Sequence, residues 1–211
     1  MLLKRIIRIL KINIQNYFLY YFILTLVLII GIIIGPLLID LFDLRTKIII
    51  LKYSNPYYKI AFLNDYIQYS VMKSLIFRNI FLIMFIFLLS IIRIGIFIVP
   101  LVVLLKGISV GFTVGFLIIN FGFKGFILSI GGIYPQNIFI LSGLIGLGAI
   151  SMSTTNVYRR SVSLSRLRYQ NRNLNESLLL AGVFSLIIIF GAIIEGFLSP
   201  IFLSLTLDFF K

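Results

Sequence analysis

The sequence predicts an all-α, polytopic integral membrane bundle of about five transmembrane helices, preceded by an N-terminal amphipathic helix. Hydrophobic residues make up 61% of the chain and charged residues only 12%, and the mean hydropathy is +1.15. Soluble domains are roughly 45–50% apolar and about a quarter charged. The apolar residues also gather into runs of about 20 residues, the length that crosses a bilayer as a helix. We therefore expect residues 1–211 to form a single membrane domain.

The amphipathic helix is predicted over residues 1–17. Four basic residues share one side of its helical projection: Lys4, Arg5, Arg8 and Lys11. A basic face beside an apolar one is typical of a helix that lies at the membrane surface. The uncharged run 18–39 follows and would extend about 33 Å as a helix, enough for the first span. This run is too long for a cleaved signal peptide, so an uncleaved anchor is expected.

Four more spans are predicted by the later apolar runs: 80–105, 107–123, 126–152 and 177–203. They leave an outer loop at 40–79 and a basic loop at 156–176. The basic loop carries five arginines: Arg159, Arg160, Arg166, Arg168 and Arg172.

Orientation follows from the positive charge near the spans, which favours the cytoplasmic side. Five crossings with a cytoplasmic N-terminus place both basic segments inside, with Lys106 at an inner turn between the second and third spans. In a competing arrangement, 107–134 forms a re-entrant hairpin. That arrangement would put the basic loop outside, against the positive-inside bias.

The residue types that are missing exclude several kinds of chemistry. The chain has no His, no Cys and only six acidic residues. It therefore lacks a thiolate nucleophile, a Ser–His pair and the usual zinc ligands. We expect a protein that is not an enzyme, with no catalytic residue, metal ligand or cofactor. The net charge of the chain is +13, and the basic residues that produce it lie beside the apolar runs. This placement indicates membrane lipid as the partner and not nucleic acid.

Glycines recur every four residues at Gly107, Gly111 and Gly115, so they line one stripe of a helix. Such a stripe lets a neighbouring helix approach closely, and Thr113 is placed to hydrogen-bond across an interface. The neighbour is either another helix of this chain or a helix of another membrane protein.

Pro135, Gln136 and Asn137 interrupt the fourth apolar run. Proline frees a backbone carbonyl, and the two amide side chains are able to satisfy freed backbone groups. The sequence leaves open a packed kink, a gate and a contact with a partner.

Three charged residues are candidates for an intramembrane cluster: Arg93, Lys106 and Glu195. A carboxylate in hydrocarbon requires a partner. Arg93 is the expected partner of Glu195, because their positions along the spans match better than those of Lys106 and Glu195. In a transporter, Glu195 would instead serve as a proton or cation site.

Three stretches together carry a family resemblance. They are the glycine run 105–117, Pro135-Gln136-Asn137, and Ile194-Glu195 with Ser199-Pro200. In order and spacing they resemble the stage II sporulation protein M family. The resemblance implies a non-enzymatic integral membrane protein of the complex that remodels peptidoglycan during engulfment in endospore formation. It implies as partners the cell-wall hydrolases known as stage II sporulation proteins D and P.

The predicted function is thus a membrane scaffold for those hydrolases at the septal membrane of the mother cell. One alternative is a small transporter or permease subunit that uses Glu195. Another is a membrane-bound regulator that binds a cytoplasmic partner or anionic lipid through its basic loop. The sequence does not indicate whether the chain forms a homo-oligomer.

Overall fold

Five long helices make up the structure, a computed structural model that describes residues 2–41, 65–92, 94–160 and 167–208. They are α1 (Leu2–Leu37), α2 (Asp65–Ile91), α3 (Gly95–Gly132), α4 (Tyr134–Arg160) and α5 (Leu167–Asp208), and a 3₁₀ turn, Leu38–Leu41, follows α1. Each of the five contains a segment long and apolar enough to cross a membrane. No strand occurs in these ranges. The predicted fold class is confirmed, and the chain is a multi-pass membrane protein.

Helix α1 bends at Tyr17, whose φ of −123° and ψ of 24° lie outside the helical range. The bend coincides with the predicted junction between the amphipathic segment and the first span. Beyond it the apolar part runs to Leu37, with Pro36 in the last turn. One continuous element therefore contains both the predicted amphipathic segment and the predicted first span.

The predicted span 80–105 does not form one helix. Helix α2 ends at Ile91, and α3 begins at Gly95, whose backbone nitrogen donates to the Ile92 carbonyl. Hydropathy misses this turn because the residues around it are apolar. The turn depends on glycine, because a Cβ added at Gly95 would fall on the Leu89 carbonyl oxygen. Pro100 lies inside α3.

The predicted boundary at Lys106 is also wrong, because α3 continues through this residue to Gly132. The bend in α3 comes later, at Gly122, whose φ of +57° suits glycine because it has no Cβ. Helix α4 then starts at Tyr134, so the predicted spans 107–123 and 126–152 are redistributed between α3 and α4. Up to its bend α3 extends about 40 Å, which favours a full crossing over the re-entrant hairpin.

Helices α1 and α3 run parallel. Gly31 lies against Gly107, and further along both helices Pro36 lies against Gly115. Helices α2 and α4 are also parallel to each other, since Ser151 bonds to the Ile86 carbonyl and, one turn on, Thr155 to that of Ser90.

Helix α5 runs antiparallel to both α4 and α2. Gly143 of α4 meets Ile188, and Gly191 of α5 meets Ile140. The first turns of α5 share a cavity with residues 5–17 of α1, so these two helices begin at the same end. The helices therefore alternate in direction along the chain. We call the end where α1 begins the N-terminal end of the bundle, and the other the opposite end.

Helix α4 is the centre of the bundle. In its apolar segment 67% of residues are buried, against 22–28% for the other four helices. Residues of all five helices form the apolar core with it: Leu24, Ile86, Val99, Leu144, Leu147, Ile150, Leu180 and Ile188.

Candidate functional site

The glycine stripe of α3 is filled by α1. A Cβ added at Gly107 would lie 2.7 Å from the Leu28 carbonyl oxygen, and one at Gly31 would lie 3.1 Å from the Gly107 Cα. These separations leave no room for a side chain, so the two backbones are in contact. The stripe is a packing surface inside the chain and is not open to a second protein.

The same seam continues toward the opposite end of the bundle. A Cβ at Gly111 would fall on the Ile32 carbonyl oxygen, with the Ile32 Cα 2.9 Å away. Gly115 faces the ring of Pro36, whose Cβ would lie 2.7 Å from a Cβ added at Gly115. Thr113 is different: its exposed hydroxyl donates to the Ser109 carbonyl of its own helix at 2.8 Å. Among the described residues, Thr113 therefore bonds within its own helix and not to a neighbouring one.

The residues after Ile133 make the turn from α3 into α4. Pro135 lies in the first turn of α4, where a missing N–H costs nothing because that group has no partner within the helix. The Asn137 amide donates to the Ile133 carbonyl at 2.8 Å, and the buried Gln136 amide donates to the Gly132 carbonyl. Both amides thus donate to carbonyls at the junction between α3 and α4. The arrangement is that of a capped turn, and not of a kink within one helix.

Glu195 forms an ion pair with Arg78 near the opposite end of the bundle. The Arg78 guanidinium donates to one carboxylate oxygen at 3.0 Å, and the two side chains are 60% and 20% exposed, respectively. Arg93, the expected partner, lies outside the described residues. Sequence reasoning missed Arg78 because it was assigned to the outer loop. The available signal was the apolar sequence on both sides of Arg78, which lies at the middle of α2.

Lys106 completes the cluster. It is half-buried, and it interacts electrostatically with both Glu195 and Arg78. About 16 Å of helix separates it from the start of α3, so it lies at membrane depth and not at a cytoplasmic turn as predicted. The second oxygen of Glu195 is buried and has no hydrogen-bond partner among the described residues.

This charge cluster of Arg78, Lys106 and Glu195 links α2, α3 and α5. It has one negative and two positive side chains, so its net charge is positive. Such a group is able to join three spans or to interact with an ion at membrane depth. In the described part of the chain, no three His, Cys, Asp or Glu residues come close enough to hold a metal ion.

Comparison with known proteins gives one finding. The family model described as "Stage II sporulation protein M" matches residues 18–200. The match includes the seam between α1 and α3, the turn at Pro135 and the charge cluster. No curated protein and no solved structure shows a significant match to the chain.

Proposed function

The chain belongs to the Stage II sporulation protein M family, and from this premise we propose that it is a non-enzymatic membrane scaffold for cell-wall hydrolases. Family membership makes it a sporulation-related membrane protein. The finer proposal is that it anchors stage II sporulation proteins D and P at the septum, where they remodel peptidoglycan during engulfment. The match across most of the chain is the observation that carries the proposal.

The side-chain chemistry supports a role without catalysis. The sequence has neither His nor Cys, so two of the commonest catalytic side chains are missing. Among the described residues, the carboxylate of Glu195 forms an ion pair with Arg78. Cutting of glycan strands and peptide stems is then left to the partners.

We place the N-terminal end of the bundle in the cytoplasm of the mother cell. Because the helices alternate, the basic face of α1 and the segment 156–176 lie at the same end of the bundle. Residues 161–166 and the side chains of the five arginines lie outside the described part of the chain. The positive-inside bias nevertheless favours this orientation, because both segments flank spans.

Partner recruitment requires a surface other than the glycine stripe, which α1 covers. We assign it to the predicted outer loop 40–79, whose sequence contains four tyrosines: Tyr53, Tyr57, Tyr58 and Tyr66. The first three lie outside the described residues, and Tyr66 is in the first turn of α2. Tyrosine is enriched in protein interfaces because its ring is apolar and its hydroxyl bonds to a partner.

The test is a mild-detergent pull-down of the tagged full chain from sporulating cells, with quantitative mass spectrometry. The variant Y53S/Y57S/Y58S should lower recovery of the two hydrolases by about tenfold or more, the effect of losing interface side chains worth roughly 1.4 kcal/mol in total. Tyr134→Ser is the matched control, because it removes an exposed tyrosine outside the loop. Equal recovery from all three proteins would contradict recruitment through the loop. Absence of both hydrolases from the wild-type sample would contradict the scaffold itself.

The charge cluster favours a second candidate, a small transporter. A carboxylate flanked by Arg78 and Lys106 at membrane depth resembles the arrangement of an ion pathway. Reconstituted vesicles distinguish the two functions. A transporter with Glu195→Gln would lose its flux while its complexes stay assembled, whereas a scaffold would show no flux in either protein.

A further inference from the structure

An apolar cavity of 420 Å³ lies between α2, α4 and α5. Its lining comes from the second halves of α2 and α4 and the early turns of α5, so it is nearer the N-terminal end. The hydroxyls of Ser90, Ser151 and Thr154 line it, but each donates to a backbone carbonyl. The cavity therefore presents mainly hydrocarbon, and its volume is typical of small-ligand sites.

A second cavity of 820 Å³ lies closer to the N-terminal end, between the first part of α1 and the start of α5. Its lining is polar and includes Arg5, Arg8 and Asn16. Among the described lining residues Glu176 is the one carboxylate, so their charged side chains sum to +1. Two guanidinium groups at a membrane surface favour binding of a phosphate group, whose oxygens accept bidentate hydrogen bonds from arginine.

The two cavities share Ser177. Of the two residues that follow it in α5, Leu178 lines the apolar cavity and Leu179 lines the polar one. Tyr17, at the bend of α1, also lines the polar cavity, and tyrosine favours the interface between headgroups and hydrocarbon. The change from polar to apolar surroundings therefore occurs within about one turn of α5.

From this arrangement we propose that one anionic phospholipid binds at the N-terminal end of the bundle. Its phosphate lies in the polar cavity with Arg5 and Arg8, its glycerol lies near Ser177, and an acyl chain fills the apolar cavity. The site is specific because only some of the basic residues of α1 take part. Lys4 and Lys11 share the basic face but do not line the cavity. The inference is independent of the proposed hydrolase scaffold.

Native mass spectrometry of the purified full chain tests the charge requirement. The probes are phosphatidylglycerol and phosphatidylcholine with identical oleoyl chains. R5Q/R8Q should weaken phosphatidylglycerol binding by about 30-fold, because each lost hydrogen bond from arginine to the phosphate costs roughly fivefold in affinity. K4Q/K11Q removes the same charge from the same face and should retain most of the affinity. Equal weakening in both variants would show general surface attraction and overturn the proposal, as would equal binding of the two lipids.

A second comparison tests the apolar cavity and separates a lipid from a free phosphate. Dioleoyl phosphatidylglycerol should bind at least tenfold more tightly than dihexanoyl phosphatidylglycerol, because a short chain leaves most of the cavity empty. Glycerol phosphate at the same concentration should not displace the long-chain lipid. Displacement, or indifference to chain length, would indicate a site for phosphate alone and overturn the proposal.

Ala181→Phe fills the apolar cavity from α5 and should reduce binding of the long-chain lipid. Its helicity and elution volume must match those of the wild type for the result to count. If this variant does not fold, the chain-length series decides the question without any substitution.

Discussion

The seam between α1 and α3 and the surroundings of α4 join helices in different ways. Along the seam, Gly31, Gly107 and Gly111 bring backbone against backbone. In α4, by contrast, Gly146 and Gly148 meet only side chains: Gly146 faces the ring of Phe184, and Gly148 faces Leu24 and Val99. Two hydroxyl groups of α4 also donate hydrogen bonds to backbone carbonyls of α2. The seam, by contrast, is held by direct contact between backbones.

The difference concerns how each contact responds to added volume. A backbone carbonyl is fixed by its helix, so the seam can accept a methyl group only if two whole helices separate. A phenyl ring can rotate to another rotamer at a smaller cost. The seam is therefore the rigid contact of the bundle, and the α4 surroundings are the adjustable one.

The largest expected effect comes from Gly111→Ala. The new methyl group would overlap the Ile32 carbonyl, whose carbon also lies 2.9 Å away, so we expect a loss of about 3 kcal/mol in unfolding free energy. Reversible unfolding in mixed micelles, followed by circular dichroism, measures it. Gly182→Ala is the matched control, because a Cβ there meets nothing within 4 Å. It should be neutral or slightly stabilising, and an equal loss in both variants would refute the rigid seam.

The second largest loss of unfolding free energy is expected at the charge cluster, which joins helices through an ion pair. Arg78→Gln removes the guanidinium donor to Glu195 and should cost about 2 kcal/mol. A double-mutant cycle with Glu195→Gln, measured in the same micelles, isolates the energy of the pair. Lys73→Gln removes an equal charge from an exposed site of the same helix and should cost little. Additive effects of Arg78 and Glu195 would mean that the pair contributes nothing.

Gly146→Ala sharpens the comparison directly, because it adds the same methyl group as Gly111→Ala but against a side chain. The ring of Phe184 must move, and we expect a loss of about 1 kcal/mol. The double variant with Phe184→Leu should recover part of that loss, since the ring is gone. A loss as large as that of Gly111→Ala would show that the α4 surroundings are as rigid as the seam.

The smallest effect is expected from Ser151→Ala. It removes the 3.2 Å hydrogen bond to the Ile86 carbonyl and should cost about 0.6 kcal/mol, the average for hydrogen bonds between membrane helices. Ser153→Ala is the control, because this buried hydroxyl bonds to Ile150 within α4 itself. Unfolding measured for both shows whether the bond between helices contributes more than the bond within one.

The sequence was sufficient to predict the number and type of helices and the close approach at the glycine stripe. These features depend on local pattern: uncharged length for a span, and a repeat of four for a helix face. Which helix covers Gly107 was not predictable, because Gly31 and Gly35 lie in a distant part of the chain. Contacts between spans depend on the arrangement of all five helices, and hydropathy does not encode that arrangement.

Two span boundaries failed because a charge was taken as the end of a helix. Lys106 was placed in a turn, yet α3 continues through it, and its side chain interacts electrostatically with Glu195. Arg78 was placed in a loop, although it lies inside α2 and bonds to the same carboxylate. Hydropathy scores each charge alone, whereas its cost in a membrane depends on the partner it finds.

The central position of α4 has a consequence for biogenesis. Its apolar segment has a mean hydropathy of 1.7, against 2.3–2.7 for the other four helices. The transfer of α4 from water into lipid is therefore the least favourable of the five. During synthesis it emerges fourth, when α1, α2 and α3 are already available to receive it, and α5 follows to close the bundle. The order of the segments thus lets the least lipid-soluble helix enter a site built by its predecessors. A permuted gene in which α4 is translated first should therefore yield a chain that inserts poorly and is degraded.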